Sequence, residues 1–181
     1  MTYFILHQDR RIQNAPKLNV SKQELRTLRQ FPTPEDMEET IIIYVEGELM
    51  MRKIDYPDLI EGPVLFISEK FKSLMSKYQR NIWMRTIVLI DKKTDQQRIY
   101  YAIYPPQLSC ASKHSTLDFD DEFKTFILDE TQVGHHRIFM AKGMKKKLIV
   151  RLDVAESLLR RQANGVIFEE IKNEKEMIKD E

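Results

Sequence analysis

One stretch constrains this chain more than any other: Gly62-Pro63 followed by the run from Val64 to Tyr104. Val64 to Ile67 is an unbroken apolar run of strand length, and Ser68 follows it with a hydroxyl suited to capping a helix. Phe71, Leu74, Met75 and Tyr78 then recur at i, i+3, i+4 and i+7, one apolar stripe of a 3.6-residue period. Trp83 to Ile90 returns to strand. Asp91 to Asp95 supplies turn chemistry, and Arg98 to Tyr104 reads as the hairpin partner until Pro105-Pro106 ends it. A helix of this kind must bury its stripe on a sheet, so the chain is directed towards an α+β fold.

The same strand–helix–strand order returns about 83 positions later. Leu148-Ile149-Val150 is the strand, and Asp153 with Glu156 has the spacing of a capping box. Ala155, Leu158 and Leu159 form the apolar stripe, Asn164-Gly165 is a stop signal, and Val166-Ile167-Phe168 closes the unit. An old duplication gives such a pattern, and so does the ordinary reuse of these units in α+β domains. Between the copies, Phe123 to Leu128 and Arg137 to Ala141 read as two antiparallel strands joined at Gly134. The expected fold is therefore α+β: a mixed or antiparallel sheet with helices packed on it, containing two similar strand–helix–strand units. Phe71, Leu74, Met75, Leu158 and Leu159 are the expected buried helix residues.

Upstream, Tyr3 to Leu6 is a short strand. Ser21 and Glu24 have capping-box spacing, Val20 and Leu25 stand at the staple positions, and the helix buries Leu25 and Leu28. It must stop before Phe31-Pro32-Thr33-Pro34. Glu35, Asp36, Glu38 and Glu39 follow without a neighbouring base, which marks an exposed loop or a subdomain boundary. Ile41 to Val45 is β-branched and strand-like, ended by Glu46-Gly47. We divide the chain into an N-terminal subdomain over residues 1–60, an α+β domain over 61–171 and a charged tail over 172–181.

Composition excludes several function classes. The chain has 181 residues, 42% of them apolar and 31% charged, with a formal net charge of +1. That balance describes a globular protein, and it lacks the basic excess expected of a nucleic-acid or membrane coat. A single cysteine, Cys110, forbids an intrachain disulfide and suits a reducing compartment. No run approaches the roughly 20 apolar residues of a membrane helix. Tyr3 to Leu6 is too short for a signal-peptide core, so the cytoplasm is the expected location and no membrane partner is expected.

A search for chemistry finds little. His7, His114, His135 and His136 lack metal-ligand spacing; adjacent His135 and His136 would point to opposite faces of a strand, and Gly134 beside them marks a solvated turn. Cys110 has only Lys113 and His114 nearby, so an inert, partly buried thiol is expected. With 5 glycines and no glycine-rich cradle, Rossmann and P-loop sites are excluded. Lys142, Lys145, Lys146, Lys147 and Arg151, with Phe139 nearby, form a basic cluster. It fits a phosphate patch or, more simply, a solvated hairpin turn. We expect no catalytic residues, no metal and no cofactor.

From Gly62 onward the order of blocks resembles a bacterial family, the polymorphic-toxin immunity proteins labelled immunity protein 11. The blocks are Pro63 to Leu74, Leu108 to Ser115, Phe126 to Glu130, Ile138 to Gly143, and Leu148 through the second helix to Glu170. Together they span roughly the last two-thirds of the chain. Ala111-Ser112 stands where that family carries an aspartate after the cysteine. The resemblance implies a non-catalytic protein that occludes a cognate toxin, with no established catalytic residues to carry over. The candidate partner-binding surfaces are Glu35, Asp36, Glu38 and Glu39, and the second acidic run, Asp118, Asp120, Asp121 and Glu122. Either suits a basic groove on the partner. The rival classes are an enzyme whose site is assembled by the fold, for example around Cys110, and a regulatory protein-binding module.

Overall fold

The computed structural model describes residues 1–47, 53–118, 123–144 and 146–174. In chain order the elements are β1 (Tyr3–Gln8), β2 (Pro16–Asn19), α1 (Lys22–Arg29), β3 (Ile41–Gly47), β4 (Leu59–Glu61), β5 (Leu65–Ser68), α2 (Glu69–Tyr78), β6 (Trp83–Asp91) and β7 (Gln97–Tyr104). Then come β8 (Gln107–Leu108), β9 (Thr116–Leu117), β10 (Phe123–Thr125), β11 (Ile138–Ala141), β12 (Leu148–Arg151), α3 (Leu152–Arg160) and β13 (Val166–Glu170). They form a six-stranded sheet, β2-β3-β6-β7-β5-β4, a five-stranded sheet, β13-β1-β12-β11-β8, and a small ribbon of β9 and β10. The β3–β6 and β8–β11 pairs are parallel and the other pairs antiparallel. The fold is α+β with mixed sheets.

The two strand–helix–strand units are built alike. In the first, β5 and β6 both pair antiparallel with β7, so they run parallel with β7 between them. In the second, β12 and β13 flank β1 in the same way. Ser68, which ends β5, pairs with Tyr100; Arg151, which ends β12, pairs with Tyr3. The difference between those strand ends, 151 minus 68, is the offset of about 83 read from the sequence repeat.

Period-2 alternation divides the apolar side chains among three cores. Leu65, Ile67, Tyr101 and Ile103 face inwards and meet Leu6, Leu148 and Val150 of the second sheet. Phe71, Leu74 and Met75 of α2, with Val154, Ala155 and Leu158 of α3, fill the same central core. The opposite face of the first sheet holds Ile43, Val45, Phe66, Ile87, Leu89 and Tyr100, covered by Leu28 of α1 and by Ile54 and Tyr56. The opposite face of the second sheet holds Tyr3, Ile5, Phe139 and Ile149 beneath Cys110, Leu128 and Val133. Strands buried on both faces read as continuous apolar runs, which is why β5 and β12 show no alternation in sequence.

Local signals placed α1 and α2 well. Ser21 Oγ accepts from Glu24 N–H and Glu24 accepts from Ser21 N–H, a full capping box. Ser68 Oγ caps α2 at Phe71 N–H while its hydroxyl donates to Asp58 at 2.6 Å.

Several expectations need correction. The N-cap of α3 is Arg151, without a side-chain cap bond; Asp153 lies inside the helix and takes the Arg151 guanidinium at 2.6 Å, while Glu156 pairs with Arg160. The helix starts early enough that Val154 and Leu158 centre its buried face, and Leu159 is 55% exposed. No hairpin joins the segments around Gly134: β10 pairs with β9, Leu128 bridges to Ala111 and Asn173, and β11 pairs with β12 and β8. Gly134 does turn the chain, with φ near 60°. The boundary placed after residue 60 is not where the sheets divide. β1 runs inside the second sheet, as the central strand between β12 and β13, and β2 to β4 belong to the first. Within the segment assigned to the tail, Asn173 is buried and donates to Met1 O, and residues 175–181 lie outside the described residues.

Candidate functional site

The chain crosses from the first sheet to the second at Pro105-Pro106, and a cleft of about 750 Å³ opens beside that crossing. The first sheet contributes Val64 and Leu65 at β5, Trp83 at the start of β6, and Ile103 and Tyr104 at the end of β7. The second contributes Gln107 of β8, Met140 and Ala141 of β11, and Lys142, Gly143, Met144 and Lys146 beyond it. Arg29, the last residue of α1, and Phe31 just beyond it complete the lining. Neither proline has an N–H to donate, and the Pro106 carbonyl accepts from Met140 N–H at 2.9 Å, so the crossing is tied to β11 through its carbonyl.

The cleft has an aromatic floor and a basic rim. Phe31 packs edge-on against Trp83 and Tyr104, with ring centroids 5.8 and 6.0 Å apart. The Tyr104 hydroxyl donates to Leu28 O at 2.9 Å, fixing the end of α1 over the floor. Three cations line the rim, Arg29, Lys142 and Lys146, and no carboxylate stands among the described lining residues. Lys146 Nζ donates to Gly62 O at 2.9 Å, so its stem spans from the second sheet to the first. Burial, helped by the Arg29 charge, lowers the Lys146 pKa from its ordinary value.

The basic cluster read from the sequence is thus divided by the fold, on the turn between β11 and β12 where a hairpin was expected. Lys142 and Lys146 reach the cleft. Lys147 turns to a seam between the sheets, 3.0 Å from His7 Nδ1 and 3.8 Å from Glu61, while His7 Nε2 lies 2.6 Å from Glu169. Arg151 is taken by Asp153, and Lys145 lies outside the described residues.

The first acidic run is not uniform. Glu35, Glu38 and Glu39 are exposed. Asp36 is not free: Arg85, buried in β6, sends Nη2 to within 2.7 Å of Asp36 Oδ1, off the line of a hydrogen bond, and donates Nε–H to Asp36 O at 2.9 Å. Thr33 N–H bonds and the Arg85 charge hold the Asp36 carboxyl below its ordinary range. The base that the local sequence lacked comes from 49 residues away. Of the second run, Asp118 is exposed, and Asp120, Asp121 and Glu122 lie outside the described residues.

Sequence reasoning missed one surface. On β3, Ile43 and Val45 enter the outer core, leaving Ile42 and Tyr44 on the opposite face. Cross-strand pairing sets Ile42 beside Val88 and Val88 beside Ile99, and sets Tyr44 beside Ile90. α2 packs on β5 and β7, leaving Ile42, Tyr44 and Ile99 about half exposed. The alternation was visible in Ile41 to Val45. Which face stays open depends on where α2 docks.

Cys110 is buried under the second sheet, and that burial pushes its thiol up to about 11. His135 and His136 stack at 4.5 Å in an exposed turn, not across a strand. No group of three or more potential metal-ligating side chains occurs among the described residues. No helix among them is long and apolar enough to cross a membrane. In comparisons with known proteins, no family model matches the chain and no curated protein matches it.

Proposed function

We propose that this protein works by binding another protein, and that it is an immunity protein that neutralises a cognate toxin by occlusion. The observation that carries the binding role is the open sheet face formed by Ile42, Tyr44, Val88, Ile90 and Ile99. An apolar patch spread over three strands loses free energy to water until a partner covers it, and a rigid sheet provides a surface with little conformational entropy to lose. Tyr44 is the type of side chain that anchors interfaces, and Lys92 lies against its ring, 5.9 Å from the centroid. Glu38 and Glu39 run straight into β3, so an acidic edge adjoins the apolar face and suits a partner with basic character. The toxin as partner rests on the resemblance of the blocks between residues 63 and 170; the cytoplasm as the place of action rests on the single cysteine and the lack of a long apolar run in the sequence.

The test is co-expression with the product of the neighbouring gene. Complex formation and rescue of growth are expected, with rescue lost in an Ile42→Glu, Ile99→Glu variant that melts like the parent. A neighbouring product that neither binds nor harms unprotected cells overturns the immunity reading. Full protection by the double variant overturns the sheet face as the contact.

A further inference from the structure

We propose that the cleft beside Pro105-Pro106 is a binding site for a small aromatic anion of nucleotide size and charge. The site is separate from the open sheet face. Its volume, about 750 Å³, lies within the range of small-molecule pockets, and both sheets wall it. Three features select the ligand class. The floor of Trp83, Tyr104 and Phe31 presents ring faces and edges on which a planar heterocycle stacks. Arg29, Lys142 and Lys146 place three cations at the rim, and no carboxylate stands beside them among the described lining residues. Lys146 is held by the Gly62 carbonyl so that its charge stays near that of Arg29. Cations gathered this way repel one another until an anion joins them, and a phosphate accepts from Arg and Lys together. Gln107 at the edge of β8 supplies an amide for a ring edge. Phe31 is 62% exposed although it touches two aromatic rings, and an inserted heterocycle would cover it.

The chain has one tryptophan, and it lies in the cleft, so its fluorescence reports occupancy directly. The purified full chain is titrated with AMP, adenosine, ribose 5-phosphate, benzoate and a thymidine oligonucleotide, with calorimetry in parallel. Saturable binding of AMP, weakened by salt, is expected, with adenosine and ribose 5-phosphate each weaker by about tenfold or more. An Arg29→Gln, Lys146→Gln variant should lose about tenfold or more in AMP affinity, the scale of one charge-assisted hydrogen bond. Phe31→Ala, an exposed position, should weaken AMP and leave ribose 5-phosphate unchanged. No saturable AMP binding overturns the proposal, as does equal binding of adenosine and AMP or unchanged affinity in the Arg29/Lys146 variant. Benzoate binding as tightly as AMP replaces phosphate with carboxylate as the anion. Tight binding of the oligonucleotide alone overturns the small-ligand reading in favour of a nucleic-acid surface.

Discussion

The Arg85–Asp36 pair gives a prediction whose sign depends on which half is removed. Arg85 is 1% exposed at its side chain and Asp36 is 36% exposed. A buried guanidinium carries a desolvation penalty of several kcal/mol, offset here by one carboxylate at 2.7 Å and one carbonyl at 2.9 Å. Arg85→Met keeps a flexible apolar stem in the slot beside Ile87 and removes the buried charge together with its penalty. The Asp36 carboxylate left behind still reaches water and accepts Thr33 N–H at 2.8 Å. The variant should therefore stay within about 1 kcal/mol of the parent, which at a slope of about 2 kcal/mol/M is about 0.5 M in urea midpoint. Arg85→Ala also empties the space of the stem and should cost about 2–4 kcal/mol. Asp36→Ala does the reverse of Arg85→Met: it strands the buried cation with one carbonyl and should lower the midpoint well beyond Arg85→Met. Equilibrium urea unfolding followed by far-ultraviolet circular dichroism measures all three. An Arg85→Met loss equal to or larger than that of Asp36→Ala would refute the reasoning. The same asymmetry means that lysines at Glu35, Glu38 and Glu39 leave the fold intact, whereas a lysine at Asp36 does not.

Three further outcomes follow from the same structure. Leu158→Ala should cost about 2–5 kcal/mol and Leu159→Ala less than about 1, since only the first is buried; similar losses in thermal melts would mean that α3 is turned differently on the core. Asp36, Glu69, Asp91 and Asp153 all have pKa values lowered on folding, by hydrogen bonds and neighbouring cations. Their contribution is thus fully present above the unfolded carboxylate range and is lost as pH falls through the folded values, so melting temperature should drop below about pH 4 and change little between about pH 5 and 7. A melting temperature that rises on acidification contradicts this. Cys110, with its thiol raised to about 11 by burial, should alkylate more slowly than free cysteine near neutral pH. A rate at or above that of free cysteine would restore the enzyme class built around that residue.

Much of the fold was legible locally. The Ser21–Glu24 box, the Ser68 cap, the Phe71-Leu74-Met75 stripe and the hairpin of β6 and β7 each rest on residues within a few positions of one another. Capping, helical periodicity and turn chemistry act at that range, so the sequence determined these elements alone. Other features were settled only when distant segments competed for burial. β1 took its place between β12 and β13, and Leu128 bridged to Ala111 and Asn173 instead of forming a hairpin, because those pairings bury apolar side chains on both faces. The site belongs to the same class. Arg29, Trp83, Tyr104 and Lys146 come from four separate segments, and the acidic run at Glu35 to Glu39 carried no local sign that Arg85 would claim Asp36. Alternation fixed that Ile42 and Tyr44 share a face; the docking of α2 over β5 and β7 decided that this face meets water, since one short helix covers only the strands directly beneath it.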